Sequence, residues 1–96
     1  MNRFELIARL DQPAILRRTP AGVPSLRLQV SHRSTQVEAG RAREVALNTE
    51  IAAFGPVAEG LAKVEPGRPI RLTGFLDRKG ANQLELHVTE FGIVEE

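Results

Sequence analysis

Cysteine, tryptophan and tyrosine are all missing from this 96-residue sequence, and its only phenyl-type rings are four phenylalanines. Without cysteine there is no disulfide framework and no thiolate metal site. A chain this short removes only about two-thirds of its unfolded surface from water, so a second copy is an expected source of further burial. Scarcity of rings deprives a base-stacking surface of its strongest platforms. Long apolar runs are missing too: no stretch approaches the roughly 18 residues of a membrane span, and none is expected. Met1 leads straight into an alternating segment containing Arg3 and Glu5, so no secretory leader is expected and the cytoplasm is the expected location. Nor is there an excess of one charge. Thirteen Lys+Arg against twelve Asp+Glu leave +1, and totals alone indicate no strongly charged partner.

The distribution of charge says more. Between residues 12 and 43 stand Arg17, Arg18, Arg27, Arg33, Arg41 and Arg43 against Glu38 alone, whereas residues 84–96 hold four glutamates and no Lys or Arg. Arginine dominates the bases, and its planar, weakly hydrated fork binds phosphate in two places and stacks on a nucleobase.

Apolar alternation marks the strands. Phe4, Leu6, Ala8 and Leu10 point one way and Arg3, Glu5, Ile7 and Arg9 the other. The stretch Thr19 to Pro24, rich in proline and glycine, reads as an ordered loop that begins at Arg17 and Arg18. From Ser25, Leu26, Leu28, Val30 and His32 face inward while Arg27, Gln29, Ser31 and Arg33 face outward. Residues 34–42 show no period and contain Gly40, which predicts a connection; a third strand follows over 43–54. Gly55-Pro56 suits a helix entrance, Val57, Leu61 and Val64 form one helical stripe, and Pro66-Gly67 ends it. A fourth strand alternates through Ile70, Leu72, Gly74 and Leu76, then Arg78 to Asn82 reads as a basic hairpin loop. The fifth begins at Leu84, Leu86 and Val88, with its register expected to shift near Glu90 to Gly92. The predicted whole is a single domain over 1–96, all-β, a five-stranded Greek-key OB-fold barrel with one short helix between strands three and four.

Phe54-Gly55 with Ala58-Glu59, then Gly67, Ile70, Leu72, Gly74 and Leu76, resembles the strand-helix-strand stretch of bacterial single-stranded DNA-binding proteins. Within that superfamily, His32-Arg33-Ser34-Thr35-Gln36-Val37-Glu38-Ala39-Gly40-Arg41-Ala42-Arg43 resembles the H-R-S-x-Q-x-E-A-G-x-x-R segment of the primosomal replication protein N (PriB) family. Asn2-Arg3, the Pro20 to Pro24 loop and Leu86-His87 fit as well, so the resemblance spans nearly the whole chain. It implies a homodimer that binds single-stranded DNA and assists the PriA helicase in restarting stalled forks, with DnaT as a later partner. It implies a binding protein rather than an enzyme. The best-known members carry aromatic residues where this chain has Arg41 and Ala46; a stacking role does not transfer to Ala46, and Arg41 offers only its guanidinium.

The candidate DNA contacts are Arg17, Arg18, Arg27, Arg33, Arg41, Arg43, Arg78 and Lys79, expected on or beside the face of the second and third long strands and in the flanking loops. Cations there release counterions from phosphates, the main source of sequence-independent affinity. Of the rings, Phe4 is expected in the core and Phe54 against the helix, while Phe75 shares a face with Arg71 and Thr73, leaving open a subunit contact, partial burial or base stacking. Binding weaker and more salt-sensitive than that of the best-known members, with phosphate contacts dominating, is therefore expected. His32 reads as a hydrogen-bonded residue at the core's edge and His87 as an outward residue beside Glu85 and Thr89. Far apart and without cysteine, they make no metal site, and no cofactor is expected. No Gly-flanked nucleophile and no phosphate-cradling Gly-Lys-Ser/Thr loop occurs, so no catalysis is expected. Two other readings stay open: a protein-interaction module for PriA with marginal DNA affinity, and an OB domain for RNA or oligosaccharide.

Overall fold

The computed structural model describes residues 1–95. Its elements are β1 Phe4–Leu10, β2 Arg17–Arg18, β3 Pro24–Glu38, β4 Arg41–Phe54, α1 Pro56–Leu61, β5 Ile70–Gly80 and β6 Gln83–Ile93. The sheet runs β1-β5-β6-β4-β3-β2, and β1 pairs additionally with β3. That last pairing, Arg9 with Ser31 and Leu10 with Val30, closes five long strands into a barrel. Only β4 and β6 run parallel. This is the expected OB-fold, with the helix lying between the third and fourth long strands.

Alternation chose the core correctly. Ala8, Leu10, Leu26, Leu28, Val30, Ile51, Ala53, Ile70, Leu72 and Val88 are buried, and Phe4 packs against them from the barrel's edge. The helix stops the open end with Ala58 and Leu61, both fully buried. It is a single short segment, and Val64 is held by the following turn, its N–H bonded to Leu61 O at 3.1 Å. Gly60 is needed there because a Cβ would lie 2.8 Å from the Phe91 ring.

Three sequence expectations change. First, Arg17 and Arg18 lie in a strand, β2, paired with Ser25 and Pro24, rather than in a loop. The tight reversal behind them explains it: Thr19 N–H donates to Val23 O at 2.9 Å and Gly22 N–H to Thr19 O at 2.8 Å. Second, residues 34–42 are not an irregular connection but the outer half of a long hairpin, paired without a break from Ser25–Phe54 to Glu38–Arg41. Its turn places Ala39 at φ 52° and Gly40 at φ 76°, the two left-handed residues of a type I′ reversal. Beyond the barrel neither face of this arm covers a core, so no apolar period marks it in the sequence. The arm raises the radius of gyration to 14.1 Å, against about 12.5 Å for a compact chain of this length. Third, β5 extends to Gly80, so Arg78 and Lys79 belong to a strand and the turn is only Ala81 and Asn82.

The expected break in the last strand is a bulge at Thr89, since Thr73 pairs with Glu90 but Gly74 with Val88. One extra residue lets Val88 and Phe91 both turn inward. The bulge presses the His87 carbonyl onto Gly74, where a Cβ would sit 1.7 Å from that oxygen. Gly74→Ala is therefore expected to cost at least about 1–3 kcal/mol in urea unfolding. Gly92→Ala, where an added methyl meets no atom within 4 Å, is expected to change stability by less than about 0.5 kcal/mol.

Candidate nucleic-acid interface

The segment His32 to Arg43 builds the arm. His32 Nδ1 lies 2.7 Å from Ile7 O, and its Nε2 lies 2.8 Å from Ser34 Oγ. A carbonyl only accepts, so Nδ1 carries the proton; Ser34 then donates to Nε2 in the neutral ring and accepts from Gln36 Nε2 at 3.0 Å. Gln36, Ser34 and His32 thus form a relay ending on β1, where direct pairing with β3 has stopped. Glu38 and Arg43 pair across the arm near its tip. His32 is the hydrogen-bonded core-edge residue that its parity predicts.

The outer face of the barrel is organised by register. Arg27 pairs with Ala52, Ala52 with His87, and His87 with Phe75, forming one rung across four strands. A neighbouring rung joins Arg17, Ser25 and Phe54. Ala52 is fully buried beneath these side chains. The His87 ring stacks on Phe75, with centroids 4.9 Å apart and planes 12° apart, and on Phe54 at 6.0 Å and 23°. The Arg27 guanidinium carbon stands 5.7 Å from the Phe54 centroid. Phe54 and Phe75 remain 38% and 39% exposed, so Phe54 lies on the sheet's outer face rather than being absorbed against the helix. Parity already set His87 and Phe75 outward. What sequence reasoning missed is that Phe54 joins them, because the parallel β4–β6 pairing that brings the three rings together has no local signature.

Beneath the rings lies a carboxylate. Glu85 is 4% exposed; its Oε2 accepts from Arg27 Nε at 3.0 Å, and its Oε1 is 3.3 Å from His87 Nε2. Burial alone would raise its pKa. Hydrogen bonds with Arg27 and Glu50, together with the charges of Arg27 and His87, outweigh that and hold the carboxyl below its ordinary value of 4.5. Glu50 in turn holds Lys79.

The eight candidate cations fall into groups. Arg17, Arg27 and Arg33 share the outer face, whereas Arg41 and Arg43, opposite Glu38 and Gln36, lie on the arm's other face with His32 and Ser34. Arg18 donates to Gly22 O at 3.0 Å, bracing its own loop. Arg27, Arg43 and Lys79 have glutamate partners. Among the described residues, Arg17, Arg33, Arg41 and Arg78 have no carboxylate partner. Arg78 pairs in register with Leu84 near the β5–β6 turn. Among the described residues no three His, Asp or Glu side chains could hold a metal ion, and no helix is long and apolar enough to cross a membrane.

A carboxyl with a depressed folded-state pKa stabilises the fold above its ordinary titration range and ceases to do so as pH falls through the folded value. Glu85→Gln is expected to lose about 1–3 kcal/mol at pH 7, with the gap from the unaltered protein closing as pH falls below 4.5 and through the depressed folded-state value. Urea unfolding across that range checks both the size and the sign.

Comparison with known proteins agrees with this geometry. A family model described as "another single-strand binding protein family" matches residues 2–90. The replication restart protein PriB of Bordetella pertussis is 39% identical over 92 residues, covering 94% of this chain and 86% of the relative. The solved structure of PriB from Ralstonia solanacearum superposes with a TM-score of 0.90 at 33% identity, covering 99% of both chains. At the level of fold alone, the single-stranded DNA-binding protein of Thermus aquaticus reaches a TM-score of 0.79 at 23% identity, over 99% of this chain and 50% of that one. An OB barrel with this outer face and arm, matched over nearly its full length, belongs to the replication restart protein PriB family of single-strand binding proteins.

Proposed function

We propose that this chain is a single-stranded DNA-binding accessory protein of the replication restart primosome, acting in the cytoplasm as a homodimer. It holds unpaired DNA for the PriA helicase, and DnaT joins later. The observation that carries this reading is a set of arginines that have no carboxylate partner among the described residues: Arg17 and Arg33 on the outer face, Arg41 on the arm and Arg78 beside the β5–β6 turn. Their charge is uncommitted; Arg17 and Arg33 lie on the outer face over which OB-folds of this kind lay single strands, while Arg41, on the arm's other face, and Arg78 flank it. Arg18, Arg27, Arg43 and Lys79 contribute as well, the last three by exchanging a glutamate partner for a phosphate.

The free edge of β1 supports pairing of two copies. Among the described residues, Phe4–Ala8 has no strand partner on the side away from β5, where His32 takes the Ile7 carbonyl, and Ile7 is 42% exposed. An apolar open edge of this sort invites a second strand.

One observation favours a second reading. Because Arg27, Arg43 and Lys79 are already neutralised by glutamates, intrinsic DNA affinity is reduced and contact with the helicase becomes the main role. Fluorescence anisotropy of a labelled 30-mer of thymidylate at several salt concentrations decides between them. DNA binding by charge gives a log K that falls linearly with log salt, by about 0.7 per phosphate contacted on a single strand. Arg33→Ala and Arg78→Ala are each expected to lower that slope by about 0.7. A flat slope, or retention of DNA only when the helicase is present, contradicts the first reading and favours the second.

A further inference from the structure

The end of the barrel that α1 plugs carries apolar side chains the core does not use up. Val64, Phe91 and Ile93 line a hollow of about 420 Å³ beside Gly60, together with Lys63, Glu65 and Arg68. Val64 and Phe91 are half-buried and the three charged residues exposed, so the hollow has an apolar floor and a charged rim. Ile93 is 42% exposed. The floor is open because residue 60 is a glycine: with no Cβ in the way, the Phe91 ring lies directly against the helix. The edge of β6 beside it is also unused. Pairing with β4 covers only Leu86–Val88, and past Val88 that edge has no strand partner among the described residues.

Charge says what kind of ligand fits. Among the described residues, Lys63 and Arg68 have no carboxylate partner. A second hollow of about 300 Å³ continues from the first through Glu65 and Arg68 and brings in Arg9, whose guanidinium donates to Gly67 O. The combined trough holds three cations against one carboxylate, and its lining includes none of the candidate DNA contacts and none of the Phe54–His87–Phe75 row.

We propose that this trough docks an extended peptide segment of a partner protein, apolar at its centre and acidic at its flanks. The apolar side chains settle on Val64, Phe91 and Ile93, the carboxylates meet Lys63 and Arg68, and the peptide backbone runs along the free edge of β6. Docking of this kind takes affinity from main-chain hydrogen bonds and specificity from the pockets beside them. A nucleic-acid strand is the poorer occupant: its phosphates would suit the two cations, but it has no amide groups to pair with a strand edge and would leave the aliphatic floor uncovered. Because the trough and the outer face share no residue, one copy holds a DNA strand and a peptide at the same time. The docking itself does not depend on the DNA reading.

Fluorescence anisotropy with a labelled octapeptide, four leucines flanked on each side by two aspartates, tests the trough. Two control peptides replace the aspartates by lysines or the leucines by serines. The acidic, leucine-bearing peptide is expected to bind at least about tenfold more tightly than either control. Reversing both cations, Lys63→Glu with Arg68→Glu, is expected to weaken it about tenfold or more. Ile93→Ser, at an exposed position that folding tolerates, is expected to weaken it about fivefold. Both variants are expected to keep the circular dichroism spectrum and the affinity for a 30-mer of thymidylate, which separates a lost contact from a lost fold. Saturating thymidylate is expected to leave the peptide bound. Failure of the acidic peptide to bind, equal binding of the lysine peptide, or indifference to both variants overturns the trough while leaving DNA binding intact. Displacement of the peptide by thymidylate overturns it too, and makes the trough part of the DNA path. Peptide binding by a protein that holds no thymidylate upholds the trough and overturns the DNA reading.

Discussion

Closure of the sheet through β1 is the constraint on which the rest of the molecule depends. This strand pairs with β5 along Phe4–Ala8 and then crosses to β3 at Arg9 and Leu10. The double engagement seals a core built almost entirely of Leu, Ile, Val and Ala. A chain of this length has few other ways to bury that much side chain, lacking disulfides and any second layer beyond α1. Closure fixes which residues of β3, β4, β5 and β6 face outward, and so fixes the composition of the presented surface. It also leaves β3 and β4 longer than the barrel needs, and their surplus becomes the projecting arm.

The surface so created balances opposing charges. Glu50 and Glu85 lie among the candidate cations, pairing with Lys79 and Arg27, and their presence weakens the positive field over the centre of the face. In exchange Glu85 locks a guanidinium and an imidazole against two phenyl rings. Uncommitted arginines remain at the margins, on β2, at the root of the arm, near its tip and beside the β5–β6 turn.

The barrel was legible because alternation is imposed by the core: Leu26, Leu28 and Val30, or Ile70 and Leu72, could only be inward residues of strands. Even the bulge near Thr89 showed as a change of phase ahead of Phe91. Where no core lies beneath the chain, that signal vanishes. Residues 34–42 therefore looked like a loop although they are paired throughout, and the family-like segment His32 to Arg43 was readable as a resemblance without its task, a hydrogen-bond relay and an ion pair that stiffen the arm. The cations were identifiable by type but not by side, because placing Arg41 and Arg43 opposite Arg27 and Arg33 requires the register of a hairpin that local pattern did not reveal. Phe54 joins His87 and Phe75 only through the parallel β4–β6 pairing, a contact between residues more than 30 positions apart.

Nitrogen-15 chemical-shift mapping of the protein titrated with a short deoxycytidylate strand is the most direct test of where the ligand lies. The expected result is a contiguous set of shifts over Arg17, Arg27, Arg33, Phe54, Phe75 and His87, with β1 and the groove lined by Gly60, Val64, Arg68 and Phe91 unmoved. Shifts confined to that groove, or scattered over both faces of the arm without reaching the aromatic row, would contradict the central claim that the barrel's outer face is the DNA-binding surface.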